Sequence, residues 1–309
     1  MKNSLLTILS LIIIASNIFS QQNNSKNLSG PYLGQQLQGS TPEIFAEGIL
    51  AKRYDSFHST IAFTSAGDEC YWQSDLSSNE FTISWARIEN GKWTEPEIAP
   101  FAKIEYRDDC PFISPDGKKL FFISRRPLSK GEKAGKENIW FMDRMESGWS
   151  EPQPLPSNIN DMSRIHWQVS VDNEGNLYFS IHQNESRGRR GDIYCSKLVN
   201  GNYIDPEKLD EVINSPDYEF SPFISPDGSY LLFSRETYGN GRCRIYISFK
   251  TKTGKWTEPI NLYESYGIKG ICPAVTKDNK YLFYLDYINS HSQPFWTDTK
   301  FIDELRPNK

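Results

Sequence analysis

Cys110-Pro111-Phe112-Ile113-Ser114-Pro115-Asp116-Gly117, followed by Lys118-Lys119-Leu120-Phe121-Phe122, is the stretch that decides the fold. It reads as an apolar strand, a tight turn and a second apolar strand. Pro presets the turn backbone, and Gly accepts the positive φ that follows. The phrase returns from Ser221-Pro222-Phe223-Ile224-Ser225-Pro226-Asp227-Gly228 into Leu231-Leu232-Phe233, and looser copies span Ala62 to Trp72, Val169 to Phe179 and Ala274 to Tyr284. A second phrase keeps the same beat, as Trp93-Thr94-Glu95-Pro96, Trp149-Ser150-Glu151-Pro152, Tyr203-Ile204-Asp205-Pro206 and Trp256-Thr257-Glu258-Pro259. Before each lies a third strand: Phe81 to Arg87, Asn138 to Asp143, Asp192 to Lys197 and Arg244 to Phe249, with Pro294 to Thr299 in the last repeat.

Four short strands in a unit of about 54 residues is the pattern of a propeller blade. A small sheet cannot bury both its faces alone, so such units must stack around an axis. The recurring aromatics are therefore expected to pack between blades or against outer strands. The fifth repeat has its inner three strands but no Trp-x-Glu-Pro phrase. Thr41-Pro42-Glu43-Ile44-Phe45-Ala46, at the other end of the chain, matches Thr94-Glu95-Pro96-Glu97-Ile98-Ala99. The expectation is an all-β, five-bladed β-propeller of four-stranded antiparallel blades, its ring closed by an N-terminal strand that leaves no exposed edge. The domain spans 41–309, with a closing strand at 41–50 and blades at about 55–101, 106–157, 164–213, 218–263 and 268–305.

Residues 1–20 read as a secretory signal peptide. Lys2 precedes an apolar run from Leu5 to Ile14, which leads to small and polar residues before Gln21. That run is about half of what a membrane span needs. Residues 21–40 read as a flexible leader. Export to the periplasm, outer surface or exterior is expected, as a monomer without a membrane segment in the mature chain. With 34 basic and 39 acidic residues, the net charge of −5 argues against nucleic-acid partners, which need a basic surface. Five cysteines, at 70, 110, 195, 243 and 272, contain no Cys-x-x-Cys pair, so they read as buried single thiols and not as a zinc site.

Ser114-Pro115-Asp116-Gly117 and Ser225-Pro226-Asp227-Gly228 resemble the repeat of exported bacterial WD40-like propellers of the TolB-like kind, Pro-x-Phe-Ser-Pro-Asp-Gly. The first, third and fifth repeats depart from it at Ser65-Ala66-Gly67-Asp68, Asp172-Asn173-Glu174-Gly175 and Lys277-Asp278-Asn279. The resemblance covers about residues 30 to 305. It implies the propeller fold and, for that family, interaction with proteins or the cell envelope. TolB has six blades, so its own partners do not carry over.

No nucleophile elbow, phosphate loop or metalloprotease helix is present, and no cofactor or metal is expected. Asp172, Glu174 and Asn176 alternate like a calcium loop but lack the rest of its ligands, and read as a solvated turn. What varies from repeat to repeat is the lead-in to each innermost strand and the hairpin between the second and third strands. In a propeller both fall on one face. Candidate ligand-binding residues there are Asp55, His58, Arg107, Asp108, Arg164, His166, Trp167 and Glu219 from the lead-ins. The hairpins add Arg125, Arg126, Arg187, Arg189, Arg190 and Arg235, with Arg242 and Arg244 nearby. The arginines suggest a basic sector for an acidic glycan or an acidic protein segment, since guanidinium groups grip carboxylates bidentately. The expected function is non-enzymatic binding or scaffolding through this loop face. The alternative is a glycosidase using Asp55, Asp108, Asp109 and Glu219, two of which would have to stand about 5 to 9.5 Å apart.

Overall fold

The computed structural model describes residues 28–307, apart from 38, 51–55, 78–79, 130, 163–164, 186–187 and 238–240; the side chains of 165–167, 183–185 and 188–190 are also not described. The expected signal peptide lies outside the described residues. Among those residues no helix is long and apolar enough to cross a membrane.

The alternation of apolar strand and tight turn produces an all-β chain of antiparallel sheets. In the first repeat Ala62–Phe63, Glu69–Ser77 and Glu80–Glu89 pair in order, and the short strands Lys92–Trp93 and Glu97–Ile98 both pair with the last of these. The second repeat follows the same plan with Asp109–Ile113, Lys119–Ser124, Asn138–Met145, Gly148–Trp149 and Gln153–Pro154. The third and fourth repeats join in one sheet where Gly191 meets Tyr218 in parallel register. A Cβ at Gly191 would run into the Tyr218 ring, so this approach requires glycine. In the last sheet Ile271–Val275, Tyr281–Ile288 and His291–Asp298 are followed by Glu43–Ile44 from the other end of the chain. Glu43 stands opposite Trp296 and Ile44 opposite Phe295, and the Phe45 amide donates to the Pro294 carbonyl at 2.8 Å.

The turns show why their sequence repeats. The Ser114 hydroxyl donates to Asp116 Oδ1 at 2.6 Å and accepts from the Lys119 amide at 2.9 Å, while Asp116 Oδ1 also accepts from the Lys118 amide at 3.0 Å. Ser225 and Asp227 repeat this network, and so do Thr276 and Asp278 in the degenerate copy. Partial burial opposes ionisation of these aspartates. The hydroxyl and amide donors outweigh it and hold all three below the usual carboxylate value.

The repeated aromatics pack between elements. Trp149 donates its indole N–H to Tyr71 of the first repeat at 2.8 Å, and Tyr71 in turn bonds to Glu69, which Arg144 grips at 2.7 and 3.0 Å. Trp93 is 4% exposed and donates to the Gly30 carbonyl at 2.7 Å. Two asparagines outside the turn and aromatic phrases brace the same strands. Asn160 clamps both the amide and the carbonyl of Ile139 and also donates to the Leu155 carbonyl; Asn214 does the same for Ile193 and Leu209. They satisfy the Ile139 and Ile193 amides just past the two-residue outer strands, and add a second donor to carbonyls that already accept from the Leu155 and Leu209 amides.

Two expectations need correction. Residues 28–37, read as part of a flexible leader, are seated in the fold: Tyr32 and Leu33 are buried, and the Tyr32 amide donates to the Gly67 carbonyl at 2.9 Å. Their apolar side chains found a seam to fill, which the surrounding Gln and Ser residues masked in the sequence. The third strands are also longer than expected. Gly188–Ser196, Arg242–Phe249 and His291–Asp298 begin before their apolar cores and continue as two-stranded hairpins toward the loop face. None of the five cysteines is in a disulfide.

The packing of the aromatics makes a graded prediction. Trp93→Ala should cost about 3–5 kcal/mol, as truncation of a buried tryptophan does. Trp149→Phe, which keeps most of the ring and loses the bond to Tyr71, should cost about 1 kcal/mol. Urea denaturation of both variants measures the difference; no cost in Trp149→Phe would remove the interface role of the Trp149 N–H.

Candidate functional site

The innermost strands run from the loop face to the turn face, so residues just before or at their starts gather at the loop end. Asp108 and Glu219 occupy matching places in the second and fourth repeats, and both are fully buried. Asp108 is paired with Arg126 and accepts from the Lys103 amide at 2.8 Å; Arg126 also donates to the Phe101 carbonyl at 2.6 Å. Glu219 Oε1 accepts from Arg235 Nε and from the Ser215 hydroxyl, each at 2.6 Å, and Arg235 reaches the Ile213 carbonyl at 3.1 Å. Each guanidinium thus ties a lead-in segment to the hairpin of its own sheet. The fifth repeat inverts the charges: Lys269 Nζ stands 3.5 Å from Asp286 Oδ2.

Burial dominates the chemistry of Glu219. Its pKa is pushed up to about 7, because loss of hydration outweighs the help from Ser215 and Arg235. The geometry agrees, since Glu219 Oε2 is buried without a hydrogen-bond partner.

Asp109 serves a different purpose. Its Oδ2 lies 3.2 Å from His58 Nδ1, which joins the first and second repeats across their boundary. The hydrogen bond to Asp109 raises the His58 pKa against the opposing effect of burial. The Phe81 ring contacts the His58 ring edge-to-face, 4.9 Å between centroids, and the Arg107 guanidinium, 4.9 Å from its centroid.

The expected basic sector is divided. Arg126 and Arg235 point inward, and Arg125 pairs with Glu137 at 2.7 Å. Asp55, Arg164 and Arg187 lie outside the described residues, and the side chains of His166, Trp167, Arg189 and Arg190 are not described. Of the four candidate carboxylates, the three described are each engaged with a basic partner.

Below the loop end, the innermost strands enclose a cavity of about 60 Å³, lined by residues 60–65, 111–115, Gln168, and parts of 223–226 and 274–277. Gln168 crosses it, donating from Nε2 to the Pro273 carbonyl at 2.6 Å. Cys110, Ser221 and Cys272, each followed by proline, take φ of 50°, 49° and 57° where the innermost strands bulge. Sequence reasoning passed over Gln168 and this trio. The in-register Cys-Pro, Ser-Pro and Cys-Pro pairs were the available signal.

Comparison with solved structures bears on the fold. A putative TolB from Agrobacterium tumefaciens superposes with a TM-score of 0.50 at 16% identity, over 79% of this chain and 77% of that one. A protein of unknown function from Dyadobacter fermentans gives 0.50 at 14% identity, over 85% and 83%. The fold is a β-propeller. A puromycin-hydrolyzing peptidase from Mycobacterium tuberculosis aligns at a TM-score of 0.43 and 15% identity over 65% of this chain, which spans 29% of that enzyme. No family model matches the sequence, and no curated protein matches it.

The buried pair at Glu219 yields a pH prediction. A carboxyl whose folded pKa lies above its unfolded value of 4.5 contributes stability below pH 4.5 that is lost as pH rises through about 7. Glu219→Gln should flatten that part of the stability profile, whereas Arg235→Ala, by removing a cation that lowers the Glu219 pKa, should move the loss to higher pH. Chemical denaturation between pH 4 and 8 checks both, and an unchanged slope in Glu219→Gln would assign the pH dependence elsewhere.

Proposed function

We propose that the chain is an exported binding or scaffolding propeller of five blades, closed by its N-terminal strand, that recognises a protein or glycan through the loop face. Two features support closure. Glu43–Ile44 completes the last sheet, and the first lead-in returns to the same sheet, where the Phe57 amide meets the Ser292 carbonyl at 3.3 Å and the Ser292 hydroxyl donates to the Phe57 carbonyl at 2.5 Å. The last repeat therefore holds both the N-terminal strand and the start of the first repeat.

One observation carries the functional reading: the three described candidate carboxylates are spent on holding the loops. Asp108 and Glu219 are buried in pairs with arginine, and Asp109 bonds to His58. A glycosidase needs one carboxyl free to donate a proton at the substrate and a second free to attack or to activate water. Carboxylates that fix lead-in segments serve a binding face instead, because they make a rigid platform for loops that differ in each repeat. His58, Arg107 and the expected arginines of the third repeat are the contact residues of this reading.

The test is a screen of the full mature chain against polysaccharides and envelope proteins, scored separately for binding and for release of new reducing ends. Binding without release is the expected outcome. Release that disappears in Asp109→Asn would replace this reading with a hydrolase.

A further inference from the structure

The fourth and fifth repeats carry a strip on the loop face that extends from the Lys269–Asp286 pair to two exposed tyrosines. Tyr263 and Tyr287 leave their rings in solvent, with 44% and 54% of each residue exposed. Tyr263 stands on the helix Leu262–Tyr266 that leads into the fifth repeat, and Tyr287 ends the strand Tyr281–Ile288 at the hairpin. A continuous run of contacts joins them. The Arg244 guanidinium lies 4.5 Å from the Tyr263 ring centroid, and Arg244 bridges to Lys269 through the backbone. Lys269 Nζ faces Asp286 Oδ2 at 3.5 Å, and Asp286 Oδ1 accepts the Tyr287 amide at 2.8 Å.

Three properties of the strip narrow its ligand. Exposed tyrosine rings offer flat, polarisable faces at little entropic cost on binding. Lys269 is about half exposed with only a long contact to Asp286, so it keeps capacity for a second anion, and Arg244 donates to the Cys243 carbonyl and meets no carboxylate among the described residues. Among the described residues, the exposed aliphatic side chains of the loop face, Leu76, Ile104 and Leu128, belong to the first and second repeats, so the described part of the strip does not offer the greasy surface that a protein partner would cover. We propose that this strip binds a uronate-bearing glycan. Sugar rings lay their C–H faces on Tyr263 and Tyr287, and a uronate carboxylate between them meets Lys269 and Arg244. The proposal rests on the loop-face binding reading and names its ligand class.

The experiment is calorimetric titration of the full mature chain with a galacturonic-acid oligosaccharide and, separately, with its methyl ester, at low and high salt. The acid oligomer should bind, and the ester and high salt should each weaken it, because screening acts on exposed charge. Tyr263→Ala and Tyr287→Ala should each raise the Kd about tenfold or more with unchanged circular dichroism, and Lys269→Met should erase the preference for acid over ester. Lys118→Ala, on the turn face, should leave binding unchanged. Equal affinity in the Tyr263→Ala, Tyr287→Ala double variant would overturn the strip while leaving loop-face binding in place. No binding of the acid oligomer would overturn the glycan assignment. Cleavage of the oligomer would overturn the binding reading itself.

Discussion

The rest of the fold hangs on an aromatic seam between the two ends of the chain. Phe45, 1% exposed, meets Phe283 at 4.9 Å and Trp296 at 5.0 Å in edge-to-face contacts and reaches Phe63 at 5.8 Å. Tyr32 closes the cluster from the other side, against Phe63 at 5.1 Å and Tyr281 at 5.3 Å. These rings come from the leader, the N-terminal strand, the first repeat and the last. A sheet with no neighbour exposes both an edge and a face, and here the free edge of the last sheet is capped while the same side chains fill the face between two repeats. Each buried ring is worth about 1.5–3 kcal/mol of burial, with something more for its edge-to-face geometry. The cluster therefore accounts for a sizeable share of a net stability that is typically about 5–15 kcal/mol.

A frame locked at the seam can be braced at the loop end by charge. The pairs Asp108–Arg126 and Glu219–Arg235 each pin a lead-in to the strand or hairpin beside it, and His58–Asp109 pins one repeat to the next. Buried pairs of this kind add little net stability over an apolar substitute, but losing one partner is expensive, so they favour a single arrangement of the loops. The loop face becomes a rigid surface whose chemistry is set by whatever its hairpins carry outward. That division of labour explains why turns and aromatic phrases repeat while lead-ins do not.

The repeating features were legible because each has a local cause. Ser114-Pro115-Asp116-Gly117 announces a turn whose hydrogen bonds all close within a few residues, and Trp149 announces a ring that must pack. The match of Thr41 to Ala46 with the outer-strand phrase likewise pointed to the pairing of Ile44 with Phe295. The site was less legible. Whether an arginine on a hairpin faces solvent or a buried carboxylate depends on how far the hairpin leans over its own sheet, and composition is silent on that; Arg126 and Arg235 turned inward, and their partners were the very carboxylates taken for catalytic candidates. Tyr32 and Leu33 were hidden among glutamines and serines. Asn160 and Asn214 had a signal in the recurring Leu-x-x-x-Ile-Asn of Leu155 to Asn160 and Leu209 to Asn214.

Native-state hydrogen exchange at the Phe45 amide tests the seam most directly, because that proton is held by the Pro294 carbonyl of the last repeat. If the seam is the contact on which the ring depends, the Phe45 amide exchanges only through global unfolding, with the same free energy as the core amides of Leu282 and Phe283. Exchange at a free energy several kcal/mol lower, with those core amides still protected, would mean that the N-terminal strand frays independently and that the propeller stands without it.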